Sequence, residues 1–343
     1  MKILGIESSC DDTSISIVDD NKNIIANETI SQNQIHKEYK GVVPELAARN
    51  HVLFIDKILK NILKKNNLKI TDIDLISATV GPGLIGGLLV GLTFAKTLSQ
   101  VNQIPFIGVN HLEGHAFTVR LTNSIEFPFL LLLVSGGHSN FYFISEVNKY
   151  ELLGGTLDDA LGEAFDKVGN ILGLDFPGGP QLELMAQKGN YKNINLPKPL
   201  INVKNLDMSF SGLKTAVLNN KEKLINSNDL YSADLAASFQ KSVSDILCRK
   251  ISLAIDVSLK KFAYFDNVVV AGGVAANNYL RTKLKKTIKL KNKNIFFPPT
   301  NLCTDNGAMI AWAGYELYKK GVKTNLSIKA KPRWPLEKIG DRI

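Results

Sequence analysis

Two stretches of the chain, residues 2–18 and 128–144, are written on one plan, and that repetition constrains the fold more than any other feature. In the first, Lys2–Ile6 is apolar, Glu7–Asp12 is a run of small and acidic residues, and Thr13–Val18 alternates Ile15 and Ile17 with Ser14 and Ser16. Alternation with a period of two means one buried and one polar face, so the unit reads as a β-hairpin. In the second, Phe129–Val134 is an apolar strand, Ser135–Gly137 a turn without bulk, and Asn140–Ile144 a returning strand. Hairpins are common, and two of them need not be related. Here each opens one half of the chain, and both turns carry small polar residues that leave backbone N–H groups free to face an anion. An internal duplication is therefore expected.

Helices and further strands fill the space after each hairpin. Apolar residues at 46, 47, 52, 55, 58, 59, 62 and 63 give Glu45–Lys65 a helical stripe. Leu84–Leu98 follows Gly81-Pro82-Gly83 as a second helix, and its Gly86, Gly87 and Gly91 read as packing positions. Strands are expected at Leu75–Val80 and Pro105–Val109. The second half reads as a helix at Leu157–Leu172, a Lys/Asn-rich connector around 188–207, and helices in 211–225 and 232–260. Strand Asn267–Ala271, helix Asn277–Lys286, strand Asn294–Phe297 and helix Asp305–Lys320 complete it. The reading is an α/β protein of two lobes, 1–126 and 127–324. The tail 325–343, with Pro332 and Pro335, is expected to pack back on the first lobe as an extended wrap.

Composition narrows the function classes. A chain of 343 residues with 45% hydrophobic residues can bury a sizeable core. The cysteines, Cys10, Cys248 and Cys303, are far apart and form no CxxC, which fits a reducing compartment. The N-terminus turns acidic before an apolar signal region can develop. The most apolar runs, Leu84–Ala95 and Pro128–Val134, fall short of the ~20 residues a membrane span needs. A cytoplasmic protein with no membrane partner is expected. Lys plus Arg (41) exceeds Asp plus Glu (32), a net charge of +9. That charge favours an anionic partner such as nucleic acid. A Lys-, Asn- and Ile-rich composition inherited from an AT-rich genome gives the same number, so charge alone names no partner.

The segment HLEGH carries the most definite chemistry. Asn110 can cap a helix, and Glu113 three residues on makes a start resembling a capping box. His111 and His115 then lie one turn apart on the same face. Two neutral imidazoles at that spacing can chelate one divalent ion, or they can be two surface or capping histidines. The peptidase motif HExxH needs its glutamate directly after the first histidine, where Leu112 stands. Asp305 can cap the helix it opens or serve as an oxygen ligand, and spacing does not choose. The turn in LLVSGGHSN can cradle a phosphate or adenylate on its amides, with His138 beside it for proton transfer or hydrogen bonding. FPGGP places Pro180 at a helix start. In VVVAGGVAANN, Gly272 and Gly273 permit close approach of a base or ribose, and Asn277 can hydrogen-bond or cap. The apolar face of the 157–172 helix leaves Asp166 off it, as a solvated carboxylate or a functional one. Glu7 and Asp11 can handle a metal, polarise a phosphate, or simply stabilise their turn.

A hairpin in each lobe, plus a strand–Gly-Gly–helix unit late in the second, resembles the actin/Hsp70/sugar-kinase (ASKHA) architecture with duplicated lobes. More specific is the order of motifs: IESSCDDT, GVVPELAARNH, GPGLIGGLLVG, NHLEGH, LLVSGGHS, LDDALGEAFDKV, PGGP, SFSGLKTA, AGGVAANNYLR, CTDNGAMIAWAG and PRWPL. Together, over essentially the whole chain, they resemble the TsaD family of tRNA N6-adenosine threonylcarbamoyltransferases, within the wider Gcp/KEOPS group. The resemblance implies that His111, His115 and Asp305 are the ligands of one divalent metal ion per subunit, iron(II) ahead of zinc(II). It implies that Leu133, Val134, Ser135, Gly136, Gly137, Asp166, Gly179 and Asn277 bind the threonylcarbamoyl-adenylate or nucleotide. Glu183 falls where many relatives carry Asp, as a ribose contact. Asp11 matches an acid near the reaction centre, and Lys40 replaces the first Gly of the usual YGGVVPE run, a change that falls on a loop.

The activity so implied is acyl transfer from L-threonylcarbamoyl-adenylate to N6 of adenosine-37, in tRNAs reading codons that begin with A, with release of AMP. Asp11 or His138 would accept the amine proton. The basic surface would hold the tRNA, with NNKEKLIN and the Lys-rich 282–293 stretch as contacts or as ordinary solvated faces. Implied partners are a TsaB-like paralogue, for which helices 45–65 and 84–98 offer surfaces, and a TsaE-like ATPase. Two other classes remain: an ATP-dependent kinase or ATPase of the same fold, and a metallopeptidase built on the two histidines. AMP release that depends on tRNA separates all three.

Overall fold

A computed structural model describes residues 1–220, 229–262 and 264–340. The chain divides into two compact units, Met1–Ile125 with Glu146–Tyr150 and Thr304–Ile343, and Glu126–Ser145 with Glu151–Cys303.

The first unit is built on a sheet of β1 (Lys2–Glu7), β2 (Asp12–Asp19), β3 (Ile24–Ser31), β4 (Leu75–Gly81) and β5 (Phe106–Asn110), in the order β3-β2-β1-β4-β5. β1 and β2 form the expected hairpin, antiparallel, with Ile6 opposite Ile15. β4 and β5 add in parallel on the other side of β1. β4 is buried at every residue, as a central parallel strand covered on both faces must be. β3 is an edge strand of mixed exposure, and its polar letters hid it from the sequence reading. Helices Pro44–Lys65 and Ile85–Asn102 flank this sheet.

The second unit repeats the topology. Its sheet is β6 (Phe129–Val134), β7 (Ser139–Glu146), β8 (Lys149–Gly155), β9 (Asn267–Ala271) and β10 (Asn294–Phe296), in the order β10-β9-β6-β7-β8. Read from the β8 edge this is 8-7-6-9-10, the 3-2-1-4-5 order of the first sheet advanced by five. β6 pairs antiparallel with β7 and parallel with β9, as β1 does with β2 and β4. The core beneath it joins Leu130, Leu132, Phe165, Phe239, Leu247 and Val270, all buried.

Several elements differ from expectation. The helix expected from Leu157 begins at Leu161, because Asp158 accepts the N–H groups of Phe210 (2.8 Å) and Ser211 (3.3 Å) and so caps the neighbouring helix Ser211–Leu218. β8 was not foreseen, and the helix start expected at Pro180 is that of the helix Gly178–Ala186. The expected helix over 211–225 is seen to Leu218, and residues 221–225, like most of NNKEKLIN, lie outside the described residues. The long helix is Asp229–Lys261.

The helix Gly307–Lys319 belongs to the first unit, not to the lobe that was expected to run to residue 324. Glycine on both sides explains the close fit. A Cβ on Gly5 would stand 2.1 Å from the Gly307 carbonyl oxygen, and one on Gly307 would stand 2.6 Å from the Ser16 nitrogen. Helix backbone thus lies directly on strand backbone. The tail also packs within this unit: Lys331 N–H donates to the Val80 carbonyl (2.8 Å), Gly83 N–H to the Pro332 carbonyl (3.1 Å), and Trp334 and Leu336 are buried.

Candidate metal centre and ligand-binding loops

β5 runs straight into the helix His111–Thr122. Asn110 caps it, its Oδ1 accepting Leu112 N–H at 2.9 Å, while its Nδ2 donates to the Trp334 carbonyl at 2.8 Å. The cap is therefore tied to the tail, and the first turn, which begins with His111, is held. His111 and His115 are buried, with ring centroids 4.8 Å apart and planes at 84°. Glu113 is buried too, and its carboxylate accepts the Tyr150 hydroxyl.

Asp305 arrives on the loop before Gly307–Lys319. The cap of that helix is Asn306, whose Oδ1 accepts Met309 N–H at 2.9 Å. Asp305 is thus free of capping duty. Its Oδ1 lies 3.1 Å from His115 Nε2 and 3.5 Å from His111 Nε2. The three donor atoms lie within 4.8 Å of one another. A tetrahedral ion with ligands about 2.1 Å away sets its donors about 3.4 Å apart, which the two Asp305 distances approach, and the N and O donors suit a divalent iron or zinc ion.

Electrostatics point the same way. Burial pulls the His111 pKa down, but the charges of Asp305 and Glu7 outweigh it and raise it to about 9. Burial pushes Asp305 up, yet the two imidazoles hold it at about 2. Glu7 behaves alike: burial raises it, His111 more than compensates, and the net shift is downward. Buried Glu7 beside His111 and half-buried Asp305 beside both imidazoles put two negative charges at the site, which favours positive charge there. Asp11 and Asp12 sit in the adjoining turn. Burial and the neighbouring charge of Asp305 raise both, Asp12 to about 8.

In the second unit, Leu133 and Val134 end β6, and Ser135–Gly137 form the turn into β7. Ser135 N–H donates to the His138 carbonyl (2.8 Å) and His138 N–H to Ser135 Oγ (3.2 Å), which closes the turn. Gly272 has φ +96°, and a Cβ there would meet the Val134 carbonyl oxygen at 2.4 Å, so glycine is required where the β9 loop crosses β6. The helix Leu161–Ile171 starts against the turn, Gly162 N–H donating to the Ser135 carbonyl at 3.1 Å. Asp166, further along that helix, is not simply solvated. Its Oδ1 accepts Gly178 N–H (2.8 Å) and Gly179 N–H (3.4 Å) and caps the helix Gly178–Ala186. Glu183 on that helix accepts Asn278 N–H (2.8 Å) and Tyr279 N–H (3.4 Å) at the start of Asn278–Lys289. Asn277 caps the same helix through Leu280 N–H (2.9 Å) and donates to Gln240 Oε1 (2.9 Å).

The second-unit residues are thereby joined in one chain of contacts from turn to cavity. A cavity of about 500 Å³ opens beside it, lined by Glu183, Gln240, Asn278, Tyr279 and Lys283 among others. The N-termini of two helices, at Gly178 and Asn278, lie in this run of residues, and each already holds a carboxylate, Asp166 at the first and Glu183 at the second. Sequence reading missed Thr79 and Ser9 around His111, and Gln240 against Asn277. Their signal is absent from local pattern, because each partner is distant in the chain. Among the described residues, no helix is long and apolar enough to cross a membrane.

Comparison with known proteins agrees with this arrangement. Residues 23–312 match the family model described as TsaD: tRNA N6-adenosine threonylcarbamoyltransferase. A tRNA N6-adenosine threonylcarbamoyltransferase of Rickettsia rickettsii (strain Sheila Smith) is 52% identical over 343 residues, 99% of this chain and 100% of that protein. One from Rickettsia bellii (strain OSU 85-389) is 52% identical over 339 residues, 98% of this chain and 99% of that protein. Among solved structures, HypF of T. kodakarensis superposes with a TM-score of 0.61 at 16% identity, over 95% of this chain and 49% of that one. Component A of the Acidaminococcus fermentans (R)-2-hydroxyglutaryl-CoA dehydratase gives 0.55 at 17% identity, over 92% and 98%. These neighbours share the fold alone, the actin/Hsp70/sugar-kinase type with its repeated sheet. The full-length identity and the family match carry more than fold: the chain belongs to the TsaD family.

Proposed function

We propose that the chain transfers the threonylcarbamoyl group from L-threonylcarbamoyl-adenylate to N6 of adenosine-37 in tRNAs reading codons that begin with A. The observation that carries this reading is the His111–His115–Asp305 triad within a chain 52% identical to named threonylcarbamoyltransferases. In the reaction the N6 lone pair forms a bond to the carbamoyl carbon. The bond from that carbon to the phosphate oxygen breaks, and AMP leaves with its electron pair. The N6 proton passes to a base on the protein.

A divalent ion held by His111, His115 and Asp305, iron(II) first and zinc(II) second, would supply Lewis-acid polarisation or neutralise developing charge. The Ser135–Gly137 turn would hold the adenylate phosphate on its backbone amides, a preorganised electrostatic role. Leu133 and Val134 set the position of that turn. Asp166 orders Gly178 and Gly179 for the nucleotide, and Glu183 with Asn277 orders the neighbouring helix start for the ribose. Asp11 or His138 would accept the amine proton. A carboxyl raised by burial, as Asp11 is, holds a proton more readily at neutral pH than an ordinary one.

The tRNA backbone would meet a basic surface. The helix Asn278–Lys289 carries exposed Lys283, Lys285, Lys286 and Lys289 and no acid, so binding should weaken steeply with salt. A TsaB-like paralogue and a TsaE-like ATPase are the protein partners proposed, and the compartment is the cytoplasm.

The test supplies the purified chain with the adenylate, unmodified tRNA and the two partners. Threonylcarbamoyladenosine in the tRNA, with AMP released only when tRNA is present, is expected. ATP turnover without tRNA would instead indicate a kinase or ATPase, and cleavage of a protein substrate a peptidase. Normal modification by a folded His111→Ala/His115→Ala variant would remove the metal from the reading.

A further inference from the structure

Glu7 ends β1 with no exposure at all. A carboxylate taken out of water costs several kcal/mol unless its oxygens are met by donors or charge. Here both oxygens are met. Oε1 accepts Ser9 N–H at 2.6 Å. Oε2 accepts the Thr79 hydroxyl at 2.5 Å and faces His111 Nδ1 at 3.1 Å. Ser9 Oγ stands 3.1 Å from the same ring nitrogen. Thr79 lies on β4, the parallel neighbour of β1, so two adjacent buried strands grip the carboxylate. It has no freedom to swing toward an ion.

The orientation has a chemical consequence. With an acceptor at Nδ1, the neutral His111 ring carries its proton there, and the lone pair is left on Nε2. That is the nitrogen that faces Asp305. We infer that Glu7 is a positioning residue for the metal centre. It sets the tautomer and ring angle of His111, and with Asp305 it gives the site two negative charges, the complement of a divalent ion. The inference rests on the metal reading of the triad. Carboxylate–histidine–metal relays of this kind typically govern affinity by about 10–100-fold.

The test titrates the metal-free, full-length protein with cobalt(II), following the d–d bands, and with zinc(II) against a chelator. Wild type should bind one equivalent of either. Glu7→Gln should bind 10–100-fold more weakly, because an amide cannot accept from all three donors at once. At saturation its cobalt spectrum should match that of wild type, since the ligands are unchanged. Affinity within twofold of wild type in a folded Glu7→Gln protein overturns the inference. So does a cobalt spectrum of different shape, which would make Glu7 a ligand rather than a support. If Glu7→Gln does not fold, Thr79→Val decides in its place: weaker cobalt binding supports the relay, unchanged binding overturns it. Failure of wild type to bind either metal is a different result and rejects the metal reading itself.

Discussion

Gly5→Ala is a single methyl group placed far from any proposed ligand in the sequence, yet the packing makes it a test of the metal centre. The new Cβ would stand 2.1 Å from the Gly307 carbonyl oxygen, 2.4 Å from the Ala311 nitrogen and 2.8 Å from the Ala311 Cβ. Two of these are backbone atoms, so no side chain can rotate away. Reaching a tolerable separation of about 3.2 Å asks the helix Gly307–Lys319 to retreat by 3.2 − 2.1, or about 1.1 Å. Overpacking of this kind costs typically about 1–3 kcal/mol. Asp305 is two residues upstream of the helix and moves with it, whereas His115 is set on another helix. Metal–ligand bonds tolerate about 0.2 Å. A shift about five times that size should remove Asp305 as a ligand and raise the zinc dissociation constant at least tenfold, about 1.4 kcal/mol.

Two measurements check this: urea denaturation of the metal-free protein and zinc titration by chelator competition. Gly41→Ala is the control, because nothing lies within 4 Å of a Cβ there. A Gly5→Ala protein with wild-type stability and wild-type zinc affinity would refute the reasoning. It would mean that the strand yields instead of the helix, and that Asp305 is not held by this contact.

Two further outcomes follow from the same geometry. His111, raised to about 9 by Asp305 and Glu7 against the pull of burial, is protonated in the metal-free protein at neutral pH. A raised histidine stabilises the metal-free fold fully below its ordinary value of about 6.5, and that contribution is lost as pH rises through about 9. A metal must displace this proton, so zinc affinity should rise about tenfold per pH unit, about 100-fold between pH 6.5 and 8.5, and level off above pH 9. A flat dependence over that range would show His111 already neutral. In the second unit, Asp166→Ala leaves Gly178 and Gly179 N–H without their cap and should cost about 1 kcal/mol in chemical denaturation. Asp166→Asn, which keeps an acceptor oxygen, should lose little. Equal loss in both variants would assign the effect to charge rather than to the cap.

What the sequence made legible follows from the range over which each interaction acts. The β1–β2 and β6–β7 hairpins are visible because one-sided burial writes itself into adjacent letters, as in Ser14-Ile15-Ser16-Ile17. β3 is as long as β2 and was missed, because its edge position lets Asn27, Glu28 and Thr29 interrupt the apolar pattern. Asn110 and the His111–His115 spacing are local and legible. Asp305 is different: it and Asn306 are both able to cap, and only the folded loop assigns the cap to Asn306 and the free carboxylate to Asp305. Asp166 was placed correctly off the apolar face, but its partners lie twelve and thirteen residues on, in a turn whose direction no periodicity encodes. Lys40, the departure from the family's glycine, takes the left-handed conformation itself, at φ +55°. A non-glycine residue there costs roughly 1–2 kcal/mol.

The duplication gains a physical meaning from the two turns. Both sheets share one strand order, and each opens with a hairpin whose turn lies at the end of the central strand. In the first turn the letters are Glu7-Ser8-Ser9-Cys10-Asp11-Asp12; burial and neighbouring charge raise Asp11 and Asp12, while His111 holds Glu7 down and is itself raised by Asp305 and Glu7, so this turn calls for positive charge. In the second the letters are Ser135-Gly136-Gly137-His138, with no carboxylate, so this turn brings no negative charge of its own. On one shared strand order, the two turns thus differ in charge, one rich in carboxylates and one without any. In the proposed reaction the first would serve the metal and the second the anionic adenylate.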